Sequence, residues 1–243
     1  MPNPILDNLK VKIFADGADI NGMLDMKKNP LIKGFTTNPT LMRKAGVADY
    51  ESFARQVLEQ ITDAPVSFEV FADEFDEMEA QALKIASWGA NVNVKIPVMN
   101  TKREFAGPLL ERLSKEGVVL NVTAIMTNEQ VRAIADAVDP KTASIISVFA
   151  GRIADTGRDP VPLMHEAHKI LTELQPKAEL LWASPRELLN IVQADETGCG
   201  IITVTNDVLK KLATVGKNLD DFSAETVQMF YDDACAAGFK IDC

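Results

Sequence analysis

A repetition narrows the fold more than any other feature of the sequence. Eight short runs rich in β-branched and apolar residues recur at positions 11–15, 33–36, 66–70, 92–96, 118–122, 144–149, 179–183 and 200–204. Between them, apolar residues fall at spacings of three and four, as in Phe53, Val57, Leu58 and Ile61, or Leu109, Leu110 and Leu113. That spacing predicts amphipathic helices, so strand and helix alternate along the chain. Start and stop signals support several of them, with Asp73 ahead of the acidic turn 74–77 and Gly89, Gly117 and Gly216 at helix ends. Eight strand–helix units joined by right-handed crossovers predict a parallel α/β structure closed into a (β/α)8, or TIM, barrel. An additional C-terminal helix is expected at about 223–237, with Val227, Phe230, Tyr231 and Ala234 on one stripe. The competing architecture is a doubly wound open sheet. It is disfavoured because Ala15-Asp16-Gly17-Ala18 follows the first run where a dinucleotide-binding fold would carry G-x-G-x-x-G. With no Pro- or Ser-rich linker, the chain reads as a single domain over 1–243.

Composition limits what such a barrel can bind. A formal charge of −10 argues against nonspecific nucleic-acid binding, which needs a surplus of lysine and arginine. No run approaches the roughly 20 apolar residues of a membrane helix, and 1–10 lacks a signal-peptide pattern, so no membrane partner and a cytoplasmic location are expected. Cys199, Cys235 and Cys243 lack C-x-x-C spacing and read as buried or terminal thiols. His165 and His168 share one predicted helix and read as surface or packing residues. A metal centre and a cofactor are therefore not expected.

In a barrel, catalytic groups sit at the C-terminal ends of the strands. Here the first strand ends at Asp16, the second at Thr36-Thr37-Asn38, and the third contains Glu69. The fourth contains Lys95, the fifth Asn121 and Thr123, the sixth Ser147, and the seventh is followed by Ser184. Any one of the short polar residues can be explained as a helix cap or turn. Lys95 and Glu69 are harder to explain that way, because each interrupts an apolar run where an unpaired charge is costly. Their plainest reading is a buried ion pair, yet that leaves the other polar residues at the same end unexplained. Carbon–carbon cleavage through an imine uses such a set. A neutral amine attacks a carbonyl, an apolar setting favours the neutral form, and the protonated imine then withdraws electrons from the bond that breaks. A carboxylate must move the proton of the C4 hydroxyl. Asp16 and Glu69 are both candidates, with Thr123 placed to hold a relay water.

The segment Gly34-Phe35-Thr36-Thr37-Asn38-Pro39-Thr40-Leu41-Met42 resembles the first signature of the transaldolase family. Asn91-Val92-Asn93-Val94-Lys95-Ile96-Pro97-Val98 resembles its Schiff-base segment, and Phe149-Ala150-Gly151-Arg152-Ile153 and Ala183-Ser184-Pro185-Arg186 are similar to two later motifs. The resemblance runs in order over nearly the whole chain and implies a short, single-barrel member. It implies Lys95 as the imine-forming lysine, Asp16 as the acid/base at the C4 hydroxyl, and Glu69 with Thr123 as the holders of the catalytic water. Asn38 and Asn121 would then bind the dihydroxyacetone part, with Thr37, Ser147 and Phe149 beside them. Arg152, Ser184 and Arg186 would bind the phosphate, a task suited to guanidinium groups. The family also contains fructose 6-phosphate aldolases, in which Gln and Tyr typically stand where this chain has Glu69 and Phe149. Those two positions imply transfer between sugar phosphates, and short members are often homo-oligomers.

Phe35, Pro185 and the segment 154–159 depart from the family pattern near the expected phosphate end. A different anionic group, such as a sulfonate, is one consequence to test, with Arg158 as a further anion contact. The remaining alternatives are an aldolase releasing dihydroxyacetone and a non-catalytic barrel in which Lys95 serves only as an ion-pair partner.

Overall fold

Each of the eight runs becomes a strand in the computed structural model, which describes residues 4–241. These are β1 (Lys12–Asp16), β2 (Ile32–Thr36), β3 (Val66–Glu69), β4 (Val92–Pro97), β5 (Leu120–Ile125), β6 (Ser144–Val148), β7 (Ala178–Trp182) and β8 (Ile201–Thr205). They pair in chain order, all parallel, and β8 closes onto β1 as a barrel. The fifth strand begins later than the sequence pattern suggests. Gly117 turns the chain at φ 84° and Val118 donates back to the Leu113 carbonyl, so Val118 closes the preceding helix instead of opening the strand.

Side chains alternate between the two faces of each strand, which divides the core in two. Ile13, Phe35, Phe68, Val94, Ile96, Val122, Ile146, Trp182 and Ile202 alternate with the inward residues and are buried on the outer face. On the inner face, Phe14, Ile145, Leu181, Ala183 and Ile201 form an apolar cluster on the side of β1, β6, β7 and β8. The β2–β5 side of the interior is lined instead by Gly34, Ser67, Asn93, Lys95 and Asn121, all buried. Phe14 also explains Gly34. A Cβ at position 34 would stand 2.5 Å from the Phe14 ring, so the ring occupies the volume of a missing side chain. Phe35, expected near the anion-binding end, lies on the opposite face from Gly34 and Thr36 and is 1% exposed. That correction follows from the period of two along a strand.

One helix start also differs from the expectation. Asp73 does not cap the helix Phe75–Ala86, because both its carboxylate oxygens are taken by the backbone N–H and hydroxyl of Thr101. His165 and His168 lie exposed on the helix Val161–Leu174. Among the described residues, no helix is long and apolar enough to cross a membrane.

The chain forms two compact units, one spanning Leu9–Lys210 with all eight strands and the other drawing on residues up to Asn8 and from Lys211 onward. The second unit contains the helix Leu219–Ala237, four residues longer at its start than the sequence pattern indicates. Asn218 explains the difference, since its side-chain oxygen accepts from the N–H groups of Asp220 and Asp221 and so caps the helix earlier. Gly238, at φ 68°, ends it. Val227, Phe230 and Tyr231 are each more than 60% exposed. Cys199 is buried and Cys235 exposed, while Cys243 lies outside the described residues.

Candidate active site

The C-terminal ends of the strands surround a cavity of about 490 Å³. Strand alternation brings Asp16, Thr36, Glu69, Lys95, Thr123, Ser147 and Thr203 to its wall, each from a different strand. The expected residues Asn38, Asn121, Phe149, Arg152, Ser184 and Arg186 also line it.

Lys95 is 7% exposed. Its Nζ donates to the Thr37 carbonyl at 3.0 Å and stands 3.1 Å from Glu69 Oε2. Glu69 and Lys95 are direct partners in the β3–β4 register, so the ladder itself sets the pair. The ion pair read as the plainest explanation is therefore present, and it lies inside the cavity. Thr37, expected beside the substrate, is fully buried and does not line the cavity. Its hydroxyl donates to the Ser67 carbonyl, and its own carbonyl holds the lysine.

Across the mouth, Asp16 accepts a hydrogen bond from the Thr36 hydroxyl at 2.8 Å and from Asn38 Nδ2 at 3.2 Å. Burial pushes its carboxyl above the ordinary aspartate value, against the opposing pull of the Lys95 charge and these two donors. The Thr36 hydroxyl also contacts that of Thr203. Asn38 serves two purposes at once. Its Oδ1 caps the helix Pro39–Lys44 by accepting from the Leu41 N–H at 2.9 Å, while Nδ2 faces Asp16. The cap reading and the site reading hold for the same side chain.

Asn121 is fully buried between two hydroxyls. It donates to Ser67 Oγ at 3.0 Å and accepts from Ser147 Oγ at 2.6 Å. Above it, the Thr123 hydroxyl is buried with no hydrogen-bond partner among the described residues. Ser67 and Thr203 were missed in the sequence. Each stands two positions before a strand end and hence on the inner face, which is the signal that identifies them.

The end of the cavity formed after β6 and β7 is built from close backbone contacts. Ser184 adopts φ 61°, a left-handed conformation that costs a non-glycine residue about 1–2 kcal/mol. Gly151 packs against it so closely that a Cβ there would fall 1.5 Å from the Ser184 carbonyl oxygen. This contact brings the short helix Ala150–Ala154 and its Arg152 to the mouth. The Arg152 guanidinium lies 5.0 Å over the Phe149 ring. Arg186 makes a two-pronged pair with Asp155, Nε to Oδ1 at 2.9 Å and Nη2 to Oδ2, which holds the Asp155 carboxyl below its ordinary value. Arg158 does not reach this cavity. It donates to Thr156 Oγ1 and lines a separate hollow with Met126 and Leu163.

The family model for Transaldolase/Fructose-6-phosphate aldolase matches residues 13–242. The chain belongs to this family. A probable transaldolase from Dehalococcoides mccartyi is 36% identical over 202 residues, covering 83% of this chain and 90% of that protein. A probable transaldolase 2 from Listeria monocytogenes is 35% identical over 202 residues, covering 83% and 88%. Solved structures add the fold alone. A dihydrodipicolinate synthase from Rhodopseudomonas palustris superposes with a TM-score of 0.56 at 13% identity, over 94% of this chain and 80% of that one. A putative phosphonomutase from Burkholderia cenocepacia gives 0.54 at 15% identity, over 87% and 96%. Membership of the family agrees with the resemblance seen at Gly34–Met42 and around Lys95, and makes the protein an enzyme of the aldolase and transaldolase type.

Proposed function

We propose that this member of the family transfers a dihydroxyacetone unit from a ketose phosphate to an aldose phosphate through a Schiff base on Lys95. The observation that carries the reading is the placement of the Lys95 amine beside Glu69 in the same cavity as the Asp16 carboxyl, which Thr36 and Asn38 hold by hydrogen bonds. The neutral amine adds to the C2 carbonyl, and loss of water gives the protonated imine. Asp16 takes the C4 hydroxyl proton, the C3–C4 bond breaks, and its electron pair enters the imine to leave an enamine on Lys95. The first aldose phosphate departs. The enamine then adds to the carbonyl carbon of the second, Asp16 returns the proton, and water releases the new ketose.

Glu69 and the Thr123 hydroxyl are suited to hold the water that enters and leaves during imine exchange, since that hydroxyl has no hydrogen-bond partner among the described residues. Asn38, Asn121 and Ser147 suit the hydroxyls of the dihydroxyacetone part. Arg152, Ser184 and Arg186 suit the anionic end, with charge-assisted hydrogen bonds from the guanidinium groups. The iminium supplies the electron sink, so no metal or cofactor enters the scheme. Phe149 and Glu69 favour transfer over hydrolytic release, because a phenyl ring offers no proton to quench the enamine.

Borohydride reduction in the presence of fructose 6-phosphate or sedoheptulose 7-phosphate tests the reading. An adduct on Lys95, located by mass spectrometry, is the expected result, and no adduct with any ketose would overturn it. Turnover that requires erythrose 4-phosphate distinguishes transfer from simple aldol cleavage. A cytoplasmic homo-oligomer goes with this proposal, its contact supplied by the exposed stripe of Val227, Phe230 and Tyr231. Light scattering on the purified chain measures that mass.

A further inference from the structure

Tyr50 opens the helix Tyr50–Gln60, and nothing in the sequence singles it out. Its ring packs edge-on against Phe68 and Trp88, with centroids 6.1 and 5.6 Å apart. Phe68 is an outward-facing residue of β3, so the tyrosine approaches that strand from behind the cavity. Its hydroxyl accepts from the Glu69 backbone N–H at 2.7 Å and donates to the Glu69 carbonyl at 3.0 Å. Both backbone groups of one residue are thus held by one side-chain atom.

The register shows what this replaces. β2 and β3 pair Phe35 with Val66 and Thr36 with Ser67, and the Thr37 N–H continues the ladder to the Ser67 carbonyl at 3.1 Å. In a parallel ladder, the next rung runs from the Glu69 N–H to the Thr37 carbonyl. That rung is missing. The Glu69 N–H goes to Tyr50, and the Thr37 carbonyl instead receives Lys95 Nζ at 3.0 Å. The strand pairing ends one rung early, at the residue that orients the lysine.

We propose that Tyr50 is a positioning residue for imine formation: by taking both backbone groups of Glu69, its hydroxyl leaves the Thr37 carbonyl to hold the Lys95 amine beside the Glu69 carboxylate. The proposal rests on Lys95 being the imine-forming lysine. Burial pushes the phenol above its ordinary value, so it keeps its proton and acts as donor and acceptor together.

Tyr50→Phe keeps the ring and removes the hydroxyl. The Glu69 N–H then competes for the Thr37 carbonyl, and Lys95 loses its fixed direction. With fructose 6-phosphate and rapid borohydride quenching, the rate of imine formation should fall by about tenfold or more, with KM changed by less than about twofold. Trp88→Phe alters the same aromatic cluster without touching the hydroxyl, and imine formation there should stay near wild type. Imine formation by Tyr50→Phe within about twofold of wild type, or an equal loss in Trp88→Phe, overturns the proposal. Amide hydrogen exchange provides a readout independent of the chemistry. The Glu69 amide should be protected from exchange in the wild-type protein. Unprotected exchange at Glu69 in the wild type overturns the clamp even if the variant does not fold. Absence of any wild-type adduct on Lys95 overturns the Schiff-base reading and the positioning role with it, while intact Glu69 protection would show that the clamp itself remains.

Discussion

Lys95 and Glu69 stand 3.1 Å apart at the mouth of a barrel, in register across two neighbouring strands. As a source of stability such a pair is weak, because desolvation offsets most of the attraction. On the proposed mechanism its value is chemical, since it places an amine where an incoming carbonyl would pass. Lys95→Ala should abolish the borohydride adduct and turnover while circular dichroism retains the barrel signal. Asp16 makes a pH-dependent prediction. Its carboxyl is raised by burial, so between its ordinary value and its folded one the native chain holds a proton that the unfolded chain has released. The stability from this group is greatest at low pH and is lost as pH rises through the raised value. The base form needed for C–C cleavage appears over the same interval, so turnover should rise where that stability falls. Asp16→Asn should remove the stability change from melting curves taken across pH. It should also slow cleavage by about 10²–10⁴-fold while the imine still forms. Arg152→Ala should raise KM for phosphorylated ketoses by about 10- to 100-fold with a smaller change in kcat, as expected on losing one charge-assisted contact.

At the scale of single elements, one strand or helix end often performs a structural and a chemical task together. Asn38 caps a helix with its oxygen and faces Asp16 with its nitrogen, so a substitution there changes both helix and site. Gly34 shows how an inward position is fixed by its neighbour on the adjacent strand. Gly34→Ala places a methyl group against the Phe14 ring and should cost about 1–3 kcal/mol, read as a lower denaturation midpoint with an unchanged slope. The motif containing Gly34 could be recognised in the sequence, but the reason for its glycine could not. That reason is a ring on a strand 20 residues earlier in the chain, brought alongside by the β1–β2 pairing of Phe14 with Gly34.

Over the whole molecule, the order of strands and the list of mouth residues follow from local pattern. Period-two alternation and strand-end position identify Asp16, Glu69, Lys95, Asn121, Thr123 and Ser147, because both signals depend only on near neighbours in the chain. Burial is a property of the whole fold, and it separates the thiols. Cys199 is pushed up to about 12 by burial and Cys235 is exposed, so iodoacetamide should label Cys235 in the native protein and spare Cys199 until denaturant is added. What the sequence determined by itself was therefore the architecture, the lysine and most of its polar company. The tertiary structure decided the pairings: Arg186 with Asp155, the Thr37 carbonyl with the Lys95 amine, Ser67 and Ser147 about Asn121, and Tyr50 behind Glu69. Those contacts join residues on different elements. Their geometry is set by strand register and by the point where each ladder ends, which no local stretch of sequence encodes.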